Sequence, residues 1–149
     1  MPASFIDTNV LVYLASDDAA KADRSQALVA EGGIVSVQVL NELANVSRRK
    51  MRLSWDETLE FVGPLRELFE VRPLSADTHA AGLELGRRFG LSVYDAMILA
   101  SALEARCDVL WSEDLQHGLR IGSLRVLNPF RPIEEGGTGS SGTRGGPDR

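Results

Sequence analysis

A chain of 149 residues, 44% apolar and 25% charged with a net charge of −5, suits one soluble domain with its own core and excludes a global positive field that would gather nucleic acid or an acidic membrane. A polyanionic substrate would need local basic patches or bound cations. The single cysteine, Cys107, excludes an intrachain disulfide and a cysteine-based zinc site, and no stretch is long and apolar enough to span a bilayer.

The chain opens with "SFIDTNVLVYL", an apolar run broken by Asp7, Thr8 and Asn9. The break, and the lack of Lys or Arg before the run, suit a signal peptide poorly, so a cytoplasmic protein is the expectation. Ser4 to Ile6 reads as a strand, with a helix from near Thr8. A second helix covers Ala19 to Ala30 and stops at Gly32-Gly33. "IVSV" (Ile34 to Val37) is the next strand, followed by a helix from Gln38 to Lys50. Ser54 and Glu57 have capping-box spacing for another helix, which Pro64 kinks or divides. "FEVRPL" suggests a third strand. Ser75 caps a helix ending at Gly90, and Ser92 caps one running to about Arg106. "DVLWS" (Asp108 to Ser112) and "LRVLNP" (Leu124 to Pro129) complete about five strands. From Glu134 the chain becomes "EEGGTGSSGTRGGPDR", a composition that cannot offset its ordering entropy, so residues 134–149 read as a flexible tail behind a domain of residues 1–133.

Strands alternating with helices predict an α/β domain with a mostly parallel sheet. Ligands of such sheets bind at the carboxyl ends of the strands, so residues just after each strand repay attention. Asp7 follows the first strand directly and Asp114 follows the fourth by two residues. Either could simply cap a following helix. Glu42 lies three residues after Val39 and four before Val46, on or beside a buried face where an unpaired Glu is rare, unless it snorkels to an arginine. Asp95 borders the core stripe Ala96, Leu99, Ala100, Leu103 and Cys107, and its spacing from Ser92 also fits a capping box.

Together the four weigh differently. Two carboxylates ~4 Å apart repel by about 4 kcal/mol at an effective dielectric near 20, and the usual compensation is a hard divalent cation such as Mg²⁺ or Mn²⁺. On this reading Asp7 is a metal ligand, and Thr8 and Asn9 are its polar surroundings.

The segments "FIDTNVLVYL", "NELANV", "VYDAMILASALEARCDVLWSEDL" and "RVLNPF" resemble a PIN domain, and more narrowly a VapC-type toxin of a toxin–antitoxin pair, from about Ala3 to Pro132. The resemblance implies an α/β fold and a metal-dependent ribonuclease that leaves a 5′-phosphate and a 3′-hydroxyl. Its acidic quartet falls on Asp7, Glu42, Asp95 and Asp114, with Asn9 and Ser112 as polar orienters beside Thr8. Glu113 is an extra acid at a variable position. The resemblance also implies a small antitoxin partner, a homodimer and no membrane. For RNA, the densest cation cluster is "SRRKMR", with Arg48, Arg49, Lys50 and Arg52; Arg87, Arg88 and Arg120 are further candidates, although a cation at a helix end needs no ligand. Two rival readings stand beside the nuclease: a phosphatase with an aspartyl nucleophile, in which Asn9 replaces the usual second acid, and a binding module without catalysis.

Overall fold

The computed structural model describes residues 3–132, so the tail expected over residues 134–149 lies outside the described residues. The first half of the chain forms β1 (Ser4–Ile6), α1 (Thr8–Val12) with a 3-10 turn at Tyr13–Ala15, α2 (Ala19–Ala30), β2 (Ile34–Ser36), α3 (Val37–Arg49) and α4 (Trp55–Leu68). It continues with β3 (Glu70–Arg72), α5 (Ala76–Phe89), α6 (Val93–Glu104), β4 (Val109–Trp111), β5 (Arg120–Ile121) and β6 (Leu124–Leu127). The six strands form one sheet in the order β3-β2-β1-β4-β6-β5, parallel except for β5. The α/β architecture with helices flanking a mostly parallel sheet is therefore as expected, with one strand more than the sequence suggested. That strand, β5, is two residues long and pairs antiparallel with β6 across Gly122-Ser123, with Gly122 at φ +57°.

Local chemistry explains most boundaries. Ser54 and Glu57 form both bonds of a capping box at the start of α4, and Ser75 and Thr78 do the same for α5. Gly90 ends α5 in the left-handed conformation that costs glycine little. Pro64 does not divide α4, which runs unbroken through it. Pro64 and Glu60 are both exposed, so water can serve the carbonyl that loses its helical donor.

Phe5, Val35, Leu110 and Val126 from the parallel strands are fully buried beside Val10, Leu11, Val39, Leu43, Ile98 and Leu99. Each such side chain contributes roughly 1.5–3 kcal/mol relative to exposure. In α6 every residue from Ala96 to Ala102 is buried, so this helix is enclosed on all sides rather than along one stripe. Glycines of α5 permit its close approach. A Cβ on Gly82 would lie 2.7 Å from the Met97 methyl, and one on Gly86 would lie 3.4 Å from Ala96 Cβ.

Gly33, just before β2, lies close against the backbone of β1. Its φ is +142°, and a Cβ there would lie 2.8 Å from the Ser4 backbone oxygen. Its own carbonyl accepts the Glu70 N–H. Gly33→Ala is therefore expected to destabilise the fold by about 1–3 kcal/mol, read as a lower urea midpoint at unchanged slope.

Candidate active site

Successive strands β1, β2 and β3 step in one direction across the sheet, and β4 then lies on the opposite side of β1. The strand order thus reverses between β1 and β4, which opens a crevice at their carboxyl ends. Asp7 leaves β1 at this crevice, and Ser112, Glu113 and Asp114 leave β4 beside it. A cleft of about 850 Å³ is lined there by Asp7, Glu42, Asp95 and Asp114, with Thr8, Asn9 and Gln38 among its walls. The four acids that the sequence singled out therefore come together from four separate segments.

Asp7 is the buried centre of the group, 2% exposed. It is the N-cap of α1, with Oδ1 accepting the Thr8 N–H at 2.7 Å. Its other oxygen accepts the Ser112 hydroxyl at 2.7 Å and the Asn9 side-chain amide at 3.2 Å. Capping thus occupies one oxygen, and the second is held by residues from two segments. Burial pushes the Asp7 carboxyl up to about 7; the Ser112 hydroxyl and Thr8 N–H oppose this, while the charges of Glu42 and Asp95 add to it.

Glu42, half-buried on α3, accepts the Thr8 hydroxyl at 2.6 Å on one oxygen and the Gln38 amide at 3.0 Å on the other. Among the described residues no arginine pairs with it; Thr8 instead ties it to the Asp7 backbone neighbourhood. Asp95 sits in the first turn of α6, where its N–H donates to Ser92 Oγ. The reciprocal capping bond seen in α4 and α5 is not made, so the Asp95 carboxylate is not consumed by the cap. Burial raises its pKa first, then the charges of Asp114 and Glu42, against the Ser92 hydroxyl. Asp114 is exposed and caps no helix, because β4 leads into a loop and then β5. Asp7 thus feels the charges of Glu42 and Asp95, and Asp95 those of Asp114 and Glu42.

Among the described residues, no three His, Cys, Asp or Glu side chains form a ready-made cage for an ion. Apart from the Lys50 ammonium, the polar groups of the cleft are nevertheless all oxygen or amide groups, with no His or Cys. Such a set suits a hard divalent cation held through one or two carboxylates while it keeps several of its waters. Asp7 and Asp95, whose ionised forms are disfavoured without a counter-charge, are the groups that such an ion would relieve.

The basic cluster divides by role. Arg48 is half-buried, donates to the Leu53 carbonyl at 2.7 Å and lies 4.5 Å from the Trp55 ring centre. Lys50 lines the acidic cleft, and Arg49 lines an adjoining groove with Asn41, Asn45 and Trp55. Arg52 is exposed in the segment between α3 and α4, at φ 55°. Arg87 is paired with Glu84 on α5. Sequence reasoning missed Gln38, although its four-residue spacing from Glu42 on a helix was a usable signal. It also missed the contact of Glu113 with Lys21 and Tyr13, which no local spacing reveals.

The sequence profile of the PIN domain matches residues 4–118. Among solved structures, a toxin–antitoxin complex from Klebsiella pneumoniae is 23% identical, with a TM-score of 0.64 over 87% of this chain and 100% of that one. The Mycobacterium tuberculosis VapC20 toxin, described as cleaving the sarcin–ricin loop, is 19% identical, with a TM-score of 0.63 over 75% and 92% of the two chains. VapBC2 from Rickettsia felis, bound to a promoter DNA fragment, is 20% identical, with a TM-score of 0.60 over 83% and 96%. At these identities the likenesses concern the fold, and comparison with curated proteins gives no match. The profile match runs from the first residue of β1 to the loop beyond β4, so it contains all four carboxylates, and the chain belongs to the PIN domain family.

Proposed function

We propose that this protein is a Mg²⁺- or Mn²⁺-dependent endoribonuclease, the toxin of a VapBC-type pair. The observation that carries the reading is the convergence of Asp7, Glu42, Asp95 and Asp114 on one cleft at the strand-order reversal. Asp7, Asp95 and Asp114 would hold the cation directly or through water, with Glu42 close by. When bound, a divalent cation neutralises phosphate charge and lowers the pKa of water. Ser112, Asn9 and Thr8 keep Asp7 in one orientation. Glu42, fixed at both oxygens by Thr8 and Gln38, retains lone pairs that can aim the attacking water at phosphorus. The water oxygen bonds to phosphorus as the bond to O3′ breaks, and O3′ takes up a proton, giving a 5′-phosphate and a 3′-hydroxyl. The Klebsiella neighbour is described as a toxin–antitoxin complex and the Rickettsia neighbour as VapBC2, which supports a cognate antitoxin for this chain. A homodimer and a cytoplasmic site of action belong to the same proposal.

An aspartyl phosphotransferase fits less well. Such a site needs a second acid two residues after the nucleophile, and here that residue is Asn9, which donates its amide to Asp7. The nuclease reading is tested by mapping cleavage ends on total RNA with Mg²⁺ or Mn²⁺, with EDTA and Asp7→Asn as controls. Cleavage that survives both controls would overturn it.

The basic residues give a separate test. Replacing Arg49 and Lys50 with Gln is expected to raise the RNA concentration for half-maximal cleavage and to reduce the salt slope by about 1.4, at roughly 0.7 per phosphate contact. Saturated turnover should change little. Arg48→Gln should instead lower stability by about 1 kcal/mol through the lost Leu53 bond. Kinetics across a salt series, with urea melts of each variant, check both effects.

A further inference from the structure

Asp7, Glu42 and Asp95 are carried at the starts or along the faces of helices, but Asp114 stands in the loop between β4 and β5. Something other than a helix must hold it toward the cleft. Its neighbours are tied on both sides. Leu115 is buried, and its N–H donates to Ser112 Oγ at 3.2 Å. The Glu113 N–H donates to Asn9 Oδ1 at 3.0 Å, and the same Asn9 donates to Asp7.

The Glu113 side chain is outside the set that lines the cleft. One of its oxygens accepts the Tyr13 hydroxyl and the other accepts Lys21 Nζ at 2.8 Å. Lys21 also donates to the Tyr13 hydroxyl at 3.0 Å, and its ammonium lies 4.5 Å from the Tyr13 ring centre and 5.1 Å from that of Phe130. Tyr13 meets Phe130 edge-on at 4.8 Å. Four segments are thereby joined: the turn after α1, α2, the β4–β5 loop and the chain beyond β6.

The geometry points to Glu113 as a positioning residue for the ribonuclease site, clamped by Lys21 and Tyr13 so that Asp114 faces the cleft and Asn9 stays aligned on Asp7. This rests on the function proposed above. The competing role, a fifth cation ligand, would need Glu113 oxygens lining the cleft, whereas one is taken by Tyr13, which stands in the cleft wall, and the other by Lys21, which lies outside it.

Charge alone and the clamp predict opposite effects for Lys21. Removing a nearby positive charge should by Coulomb's law tighten a divalent cation. Loss of the clamp should weaken it by about tenfold, as loss of a residue that orients a ligand does. The test uses full-length protein carrying Lys21→Met, Glu113→Gln or both. Free Mn²⁺ is read by electron paramagnetic resonance without RNA, and hydrogen exchange is followed at the Glu113 amide. Both single variants are expected to bind Mn²⁺ about tenfold more weakly and to exchange faster. The double variant should be no worse than either, because the two residues act as one unit. With RNA, kcat should fall while KM changes little, and melting should stay near wild type because a partly exposed ion pair adds little to global stability. Weaker Mn²⁺ binding in Glu113→Gln with wild-type or tighter binding in Lys21→Met would overturn the clamp in favour of direct ligation. Wild-type binding and exchange in all three variants would reduce the cluster to a surface ion pair. Failure of the wild-type protein to cleave any RNA would remove the ribonuclease reading, but not the Mn²⁺ and exchange results.

Discussion

Asp7→Asn is expected to reduce single-turnover RNA cleavage by at least ~100-fold, since a lost contribution of roughly 3 kcal/mol to charge stabilisation corresponds to that factor. Asn keeps the oxygen that accepts the Thr8 N–H and removes the charge. Its new NH₂ would face two groups that now donate to that oxygen, the Ser112 hydroxyl and the Asn9 amide, whose own oxygen is occupied by the Glu113 N–H. That local cost is set against relief of a desolvated carboxylate, which is larger above neutral pH. The variant should therefore melt no lower than wild type in EDTA at pH 8. Cleavage within about tenfold of wild type would mean that Asp7 is a helix cap and not part of the catalytic apparatus.

The second large effect is on stability against pH without divalent ions. The Asp7 carboxyl has a folded pKa of about 7 against an ordinary 3.8. Between these values the folded protein binds more protons than the unfolded chain, so the favourable contribution of Asp7 is complete below pH 3.8 and is lost as pH rises through about 7. A shift of this size corresponds to about 4 kcal/mol, and Asp95 acts in the same direction. Urea midpoints in EDTA from pH 4 to 8.5, taken as the difference between wild type and Asp7→Asn, isolate the Asp7 contribution. That difference should fall across the window, and saturating Mn²⁺ should shrink the fall by binding the ionised form. A flat difference curve would show that Asp7 is already ionised in the metal-free fold.

The parts of this architecture that were legible in the sequence rest on local chemistry. Ser54 with Glu57, Ser75 and Gly90 each act through neighbours a few residues away, so their helix ends follow directly. The acids stood out because a carboxylate after a strand or beside a buried helical face conflicts with burial. What the sequence hid depends on distant partners. Whether Asp95 was a cap turned on a reciprocal bond that only coordinates reveal. Asp114 was read as a potential helix cap, but the segment after it turns into a hairpin whose one local sign was Gly122-Ser123 between Ile121 and Leu124. Arg48 was grouped with its basic neighbours until Trp55 and the Leu53 carbonyl claimed it.

The pairing of β1 with β4 has a consequence for the order in which this protein acquires its chemistry during synthesis. Ser112 grips Asp7 across 105 positions of chain, and the strand that delivers it pairs with the first one. A nascent polypeptide that has emerged only through α6 displays Asp7, Glu42 and Asp95, but neither Ser112 nor Asp114. Such distant contacts close late, after the loop entropy between them has been overcome. Until β4 and the loop beyond it emerge, the cleft therefore lacks both the Ser112 grip on Asp7 and one of its four carboxylates, so its assembly waits on the second half of the sheet.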